Sequence, residues 1–165
     1  MPDVAGYIHW FALLIATTAI IAAALSDGSH YLIPNRYPAA IVVAFLLFSI
    51  GSPMQVWLPS LAVGAGLFAL GTLFFARGVM GGGDVKLLSA IGLWAGVDRL
   101  ALLMLVTALV GGVLALVKLI PVSRLVPASP DIADAGWRAW LNHPIPYGIA
   151  IAAGGLCVAL SHVVS

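Results

Sequence analysis

Apolar residues come in long unbroken stretches along this chain, and polar residues gather in the gaps between them. Six runs stand out: 6–25, about 37–50, 57–75, about 84–96, 100–120 and about 145–164. A helix that crosses a bilayer needs about 20 apolar residues, with a range of about 17–25. The pattern predicts an all-α, polytopic membrane bundle with about six transmembrane helices, in a single integral-membrane domain over residues 1–165. The second and fourth runs are short, so they start below the membrane surface or extend into their flanking loops. The first run has no basic stretch before it and is long enough to span, so it reads as a retained helix rather than a signal peptide.

Helix-start signals punctuate the runs. Asn35 can cap the second, with Pro38 in its first turn. Pro59 falls in the first turn of the third, where a missing N–H costs little. Gly64, Gly66, Gly111, Gly112, Gly154 and Gly155 permit close helix packing. Ser129-Pro130-Asp131 reads as the start of a short surface helix anchored by Trp137 and Trp140, with an irregular connector as the equal alternative.

Composition agrees with a bilayer as the solvent. Of 165 residues, 62% are hydrophobic and 8% charged, and the mean hydropathy is +1.13. A soluble domain would carry about 25% charged residues. The seven Lys and Arg nearly balance six acids, all of them Asp. No basic stripe marks a nucleic-acid partner. The single Cys157 excludes an internal disulfide, a cysteine-based zinc site and an iron–sulfur cluster. The four scattered histidines have no metal-ligand spacing. The reading thus requires no metal and no cofactor.

The basic residues also set an orientation. With six spans, the loops at about 26–36, 76–86 and 121–144, with the helix ends beside them, carry Arg36, Arg77, Lys86, Lys118, Arg124 and Arg138. The opposite side carries only Arg99. Basic loops face the cytoplasm. Both termini then lie outside it, in a multi-pass protein of the inner (cytoplasmic) membrane.

Two acids are distinctive on that cytoplasmic side. Asp27 directly follows the first run, and Asp84 opens the fourth behind Gly81, Gly82 and Gly83. Ionisable groups near membrane depth are costly and are usually functional. Two carboxyls at similar depth form a candidate dyad, in which one polarises a carbonyl while the other activates water. A boundary acid otherwise just marks where a loop begins, which is the reading given to Asp3 and Asp98. The glycines fit either a close-approaching backbone or a plain flexible linker. Asp27 lies at a helix C-terminus and Asp84 at an N-terminus. That division favours a proton held by Asp27 and an ionised Asp84.

Asp27 with Ile33-Pro34-Asn35, and Gly81-Gly82-Gly83-Asp84-Val85-Lys86, resemble the type IV prepilin peptidase family. Its members are membrane aspartic proteases with a Gly-x-Gly-Asp motif. The stretch Pro146-Tyr147-Gly148-Ile149-Ala150 also looks like the start of the family's last helix. The resemblance implies that Asp27 and Asp84 are catalytic. It implies supporting or substrate-binding roles for Gly81, Gly82, Gly83, Lys86, Pro34 and Asn35. Contact of Lys86 with lipid headgroups weighs equally. The implied reaction removes a short basic leader from prepilin-like or pseudopilin substrates at the cytoplasmic face, with pilus-assembly machinery as a possible further partner. Larger members carry a cysteine-containing insert and N-methylate the product. The short 26–36 loop leaves no place for that insert, so the chain resembles the small peptidase-only members of tight-adherence (Flp) systems. Two rival classes remain: a small ion- or proton-coupled transporter, and a non-catalytic pilus or secretion assembly subunit.

Overall fold

A computed structural model describes residues 4–50, 52–119 and 145–164. Among these residues the regular structure is all helical, as lipid demands of a backbone that must satisfy its own hydrogen bonds. The helices are α1 (Val4–His30), α2 (Arg36–Phe48), α3 (Met54–Ala76), α4 (Gly82–Leu119) and α5 (Tyr147–Val164). α1, α3, α4 and α5 are long and apolar enough to cross a membrane, whereas α2 has 13 residues. The surface helix expected near 129–140 lies outside the described residues.

No loop separates the fourth and fifth apolar runs, about 84–96 and 100–120. A single residue, Gly96, interrupts α4 with φ +55° and ψ −162°. Contacts with α5 require the two arms, 82–95 and 97–119, to fold back on each other. A Cβ on Gly155 would lie 2.8 Å from Ile91 of the first arm, and one on neighbouring Gly154 would lie 2.9 Å from the Leu103 carbonyl of the second. Farther along α5, Gly111 of the second arm faces Tyr147 and Ala150. Beside them, Gly148 reaches Ile33, which touches Gly83 at the start of the first arm. On a straight helix Gly83 and Gly111 would stand about 40 Å apart at 1.5 Å per residue. The fourth and fifth runs are therefore antiparallel arms joined by one glycine. Glycine is needed because the left-handed φ strains any L side chain and a Cβ would sit 2.9 Å from Ser60 Oγ.

The first arm is central. α3 runs antiparallel to it, α2 lies parallel to it, and α5 packs along it and against α1. Leu87 and Ile91 of this arm, Ile41 of α2, Leu103 of the second arm, and Ile151 and Val158 of α5 are fully buried. Large apolar side chains on the outward faces, such as Phe68 and Phe74 of α3 and Leu109 of the second arm, stay exposed as a lipid contact requires.

Three local expectations change. Asn35 occupies the N-cap position of α2 but makes no side-chain cap, because its amide oxygen accepts a bond from Lys86 Nζ at 2.8 Å. Pro59 is inside α3 rather than in its first turn, since the helix begins at Met54. Gly64, Gly154 and Gly155 do mark close helix contacts, but Gly66 and Gly112 face open space.

Candidate active site

Asp27 is only 6% exposed. It lies within the last turn of α1, not after the helix as its sequence context suggested. The helix carries on because the Asp27 carbonyl accepts the Tyr31 N–H at 2.9 Å. The chain then turns sharply at Tyr31, whose φ of +52° is costly for a residue with a Cβ. Ser26 Oγ donates to the Leu32 carbonyl at 2.8 Å and ties the turn back to α1. This geometry drives Ile33 inward, where it is buried.

α5 supplies the partner for Asp27. The Gly148 N–H donates to Asp27 Oδ2 at 2.7 Å, and the Ile149 N–H also bonds this carboxyl. Both N–H groups belong to the first turn of α5, the usual place for an anion, and that of Ile149 also reaches the Pro146 carbonyl at 3.3 Å. A Cβ on Gly148 would lie 2.7 Å from Oδ2 and 2.8 Å from Ile33 Cδ1, so no side chain fits.

Asp84 is the third residue of α4 and is half-buried. The Gly81 N–H bonds its carboxyl, the reach-back of a helix start onto its own cap. Gly82 and Gly83 belong to the first helical turn rather than to a loop. A Cβ on Gly81 would lie 2.9 Å from Asp84 Oδ2, and one on Gly83 would lie 3.0 Å from Ile33 Cβ. The three glycines meet different neighbours: Gly81 the Asp84 carboxyl, Gly82 the Phe75 ring of α3, and Gly83 Ile33 of the 31–35 segment. Ile33 bridges the two acidic corners, touching Gly83 on one side and Gly148 on the other.

The two carboxyls interact electrostatically. Each occupies a helix N-terminus, Asp84 its own and Asp27 that of α5. The division of roles drawn from the ends of their own helices therefore fails, because Asp27 answers to two helices at once. Lys86 Nζ reaches Asn35 Oδ1, pinning the far end of the 31–35 segment. The Pro34 carbonyl accepts the Tyr37 N–H at 3.1 Å and so starts α2. His30 is exposed in the last turn of α1, and Asp98 lies at the opposite end of the bundle.

Gly148, Ile149 and Ile33 are site residues that sequence reasoning did not assign. Their contribution is backbone or packing, and the sequence signal was their place in Ile33-Pro34-Asn35 and Pro146-Tyr147-Gly148-Ile149-Ala150, which carried no role for them. Among the described residues no group of His, Cys, Asp or Glu could hold a metal ion. Two interacting carboxyls, one with an oxygen fixed as an acceptor, can share a proton and work as an acid–base pair.

Comparison with known proteins gives the same direction. The model of the type IV leader peptidase family matches residues 14–116. A Neisseria gonorrhoeae protein named "Prepilin leader peptidase/N-methyltransferase" is 28% identical over 158 residues, which cover 82% of this chain and 55% of the relative. Proteins of the same name from Aeromonas hydrophila and Pseudomonas aeruginosa are each 30% identical, over 141 and 173 residues. They cover 79% and 82% of this chain, and 49% and 53% of the relatives. The chain thus spans about half the length of the curated relatives it matches. No solved structure matches it significantly.

Proposed function

The chain belongs to the type IV leader peptidase family, and from that premise we propose that it is a membrane aspartic endopeptidase that removes short basic leaders from prepilin-like proteins. Asp27 and Asp84 are its catalytic pair. Gly81, Gly82, Gly83, Lys86, Pro34 and Asn35 shape and support the site around them. The observation that carries this reading is that two carboxyls 57 residues apart in sequence interact electrostatically, each bonded by backbone N–H at a helix start.

In the proposed reaction one carboxyl, protonated, donates a hydrogen bond to the scissile carbonyl oxygen. The other, ionised, takes a proton from water as that water attacks the carbonyl carbon. The tetrahedral intermediate then collapses, the C–N bond breaks, and the leaving amine takes a proton from the pair. When Asp27 is the acid, its proton belongs on Oδ1, because Oδ2 accepts the Gly148 N–H. The reading is confined to hydrolysis, since only residues 31–35 connect α1 to α2.

In this reading all six helical segments, counting both arms of α4, cross the inner membrane, with the site at the cytoplasmic face. Arg36, Arg77, Lys86 and Lys118 lie toward the end that carries the carboxyls, and Arg99 toward the other, which supports that orientation. The small size of the α1–α2 connection favours a peptidase of the tight-adherence type.

Co-expression with a candidate prepilin tests the reading. Wild type should remove the leader, and Asp27→Asn and Asp84→Asn should each reduce removal at least about 10²-fold with unchanged membrane content. Full cleavage by either variant would refute the assignment. Ion-dependent flux lost in both variants, with no cleavage by the wild type, would favour a transporter instead.

A further inference from the structure

α2 and α3 both pack on the first arm of α4 and leave a groove between them, floored by that arm. Positions 35, 38, 39 and 42 at the start of α2 line one side, and positions 86, 89, 90 and 93 of the first arm line the floor. Each set is the i, i+3, i+4, i+7 stripe of one helix face. Gly64 and Phe68 of α3 form the other side, and the groove encloses about 340 Å³. Ala90 is buried, and Ser89 Oγ is tied to the Val85 carbonyl at 2.7 Å, so the floor asks for an apolar contact. Seven residues at about 1.5 Å each make the groove about 10 Å deep. It ends where the Leu93 side chain packs onto Gly64.

The mouth of the groove has a different character. Lys86 is the only charged residue among those lining it. An ammonium has three N–H donors and no acceptor, and Lys86 gives one of them to Asn35 Oδ1 at 2.8 Å. The Asn35 oxygen must be the atom that faces an ammonium, which leaves the Asn35 amide N–H groups as further donors at the mouth. Two donor groups, one of them cationic, thus stand over an apolar slot. They call for a ligand with an anionic, hydrogen-bond-accepting end and an apolar body. Depth decides what that body is. A spanning helix needs apolar wall over a core of about 30 Å, whereas about 10 Å lies within one leaflet of about 15 Å.

We propose that this groove binds an anionic phospholipid, with its phosphate on Lys86 and Asn35 and one acyl chain lying along the floor towards Leu93. The apolar stem of Lys86 can follow the groove wall while its ammonium stays at headgroup level. A headgroup with a cation of its own is disfavoured, because the lining offers that cation no acid and sets it beside Lys86. Lys86 is two residues from Asp84, so the lipid headgroup borders the corner that carries the carboxyls. The proposal rests on the chain crossing a membrane and is independent of the peptidase reading.

The test is native mass spectrometry of the full chain, stripped of lipid in an uncharged detergent and titrated with dioctanoyl-phosphatidylglycerol, dioctanoyl-phosphatidylcholine or glycerol 3-phosphate. The wild type should retain one phosphatidylglycerol, about tenfold more tightly than phosphatidylcholine. Lys86→Gln should erase that preference, and Lys86→Arg should keep it by keeping the charge. Ala39→Trp, at an exposed position of α2, fills the groove and should weaken phosphatidylglycerol at least about tenfold with Lys86 in place. Leu109→Trp, on the exposed face of the second arm, should change nothing. Thermal melts establish that each variant is folded, with Ala39→Leu standing in if Ala39→Trp is not. Equal retention of the two lipids, a preference untouched by Lys86→Gln, or retention untouched by filling the groove overturns the proposal. Glycerol 3-phosphate binding as tightly as the lipid overturns the acyl chain as occupant. A dimer lost in Ala39→Trp, with no lipid retained by the wild type, gives the groove to a second copy and overturns it too.

Discussion

At the carboxyl end of the bundle, α1, α4 and α5 meet through backbone groups, and at the other end α1, α2, α4 and α5 meet through rings. His9, Phe48, Trp94 and His162 pack there in tilted and edge-on pairs, with centroids 4.7 Å apart for His9–Phe48, 5.1 Å for Phe48–Trp94 and 6.0 Å for Trp94–His162. Trp94 Nε1 also donates to the Ile41 carbonyl at 3.1 Å. Bulky rings fill space and tolerate small shifts. The carboxyl end has glycines at 81, 83 and 148 where any side chain would collide, so its groups are fixed by N–H bonds at short range. One end of the bundle is built for holding, and the other for bringing two acids together with little side-chain bulk between them.

Substitutions can break or sharpen that contrast. The largest effect belongs to Gly148→Ala, which forces Asp27 away from its N–H partner. The proposed leader cleavage should fall about 10²-fold, as a misplacement of about 1 Å commonly costs, while the protein still melts cooperatively. Unchanged cleavage rates would mean that the Gly148 bond does not position Asp27. Trp94→Phe keeps a ring but removes the indole N–H given to the Ile41 carbonyl and leaves space where the larger ring stood. Thermal unfolding in detergent should show about 1–3 kcal/mol lost, with cleavage per folded molecule unaltered. If cleavage falls instead, the ring end is not the separate holding device described here. His162→Phe removes only the bond to the Trp94 carbonyl and should cost about 1 kcal/mol in the same melt. The smallest effect is Gly66→Ala, in open space on α3, which should leave cleavage unchanged and raise stability by up to about 1 kcal/mol.

Much of this molecule is legible in its sequence for one physical reason. Lipid leaves the backbone few options, so apolar runs become helices, and a scarcity of charge makes Asp27 and Asp84 conspicuous. What escaped detection depends on partners distant in sequence. Asn35 looks like a cap until Lys86, 51 residues on, takes its side chain. Asp27 looks like a loop residue until Gly148 and Ile149, more than 120 residues on, supply the N–H groups that hold it. A backbone donor leaves no side-chain signature, so the third wall of the site could not be found by searching for chemical residue types. The reversal at Gly96 was hidden for a similar reason, because Gly96 sits among apolar residues and a one-residue turn needs no polar loop.

That one-residue turn bears on how the protein is assembled in its membrane. An arm of 14 residues is too short to span the hydrocarbon by itself. Joined to the 23-residue arm through Gly96 alone, it has no slack in which to wait at the surface while its neighbour inserts. The two arms must enter the bilayer as one hairpin. Asp84 lies in the first turn of that hairpin, so it reaches its depth near Asp27 only when the hairpin is in place, and under the proposed function no partly inserted form would be active.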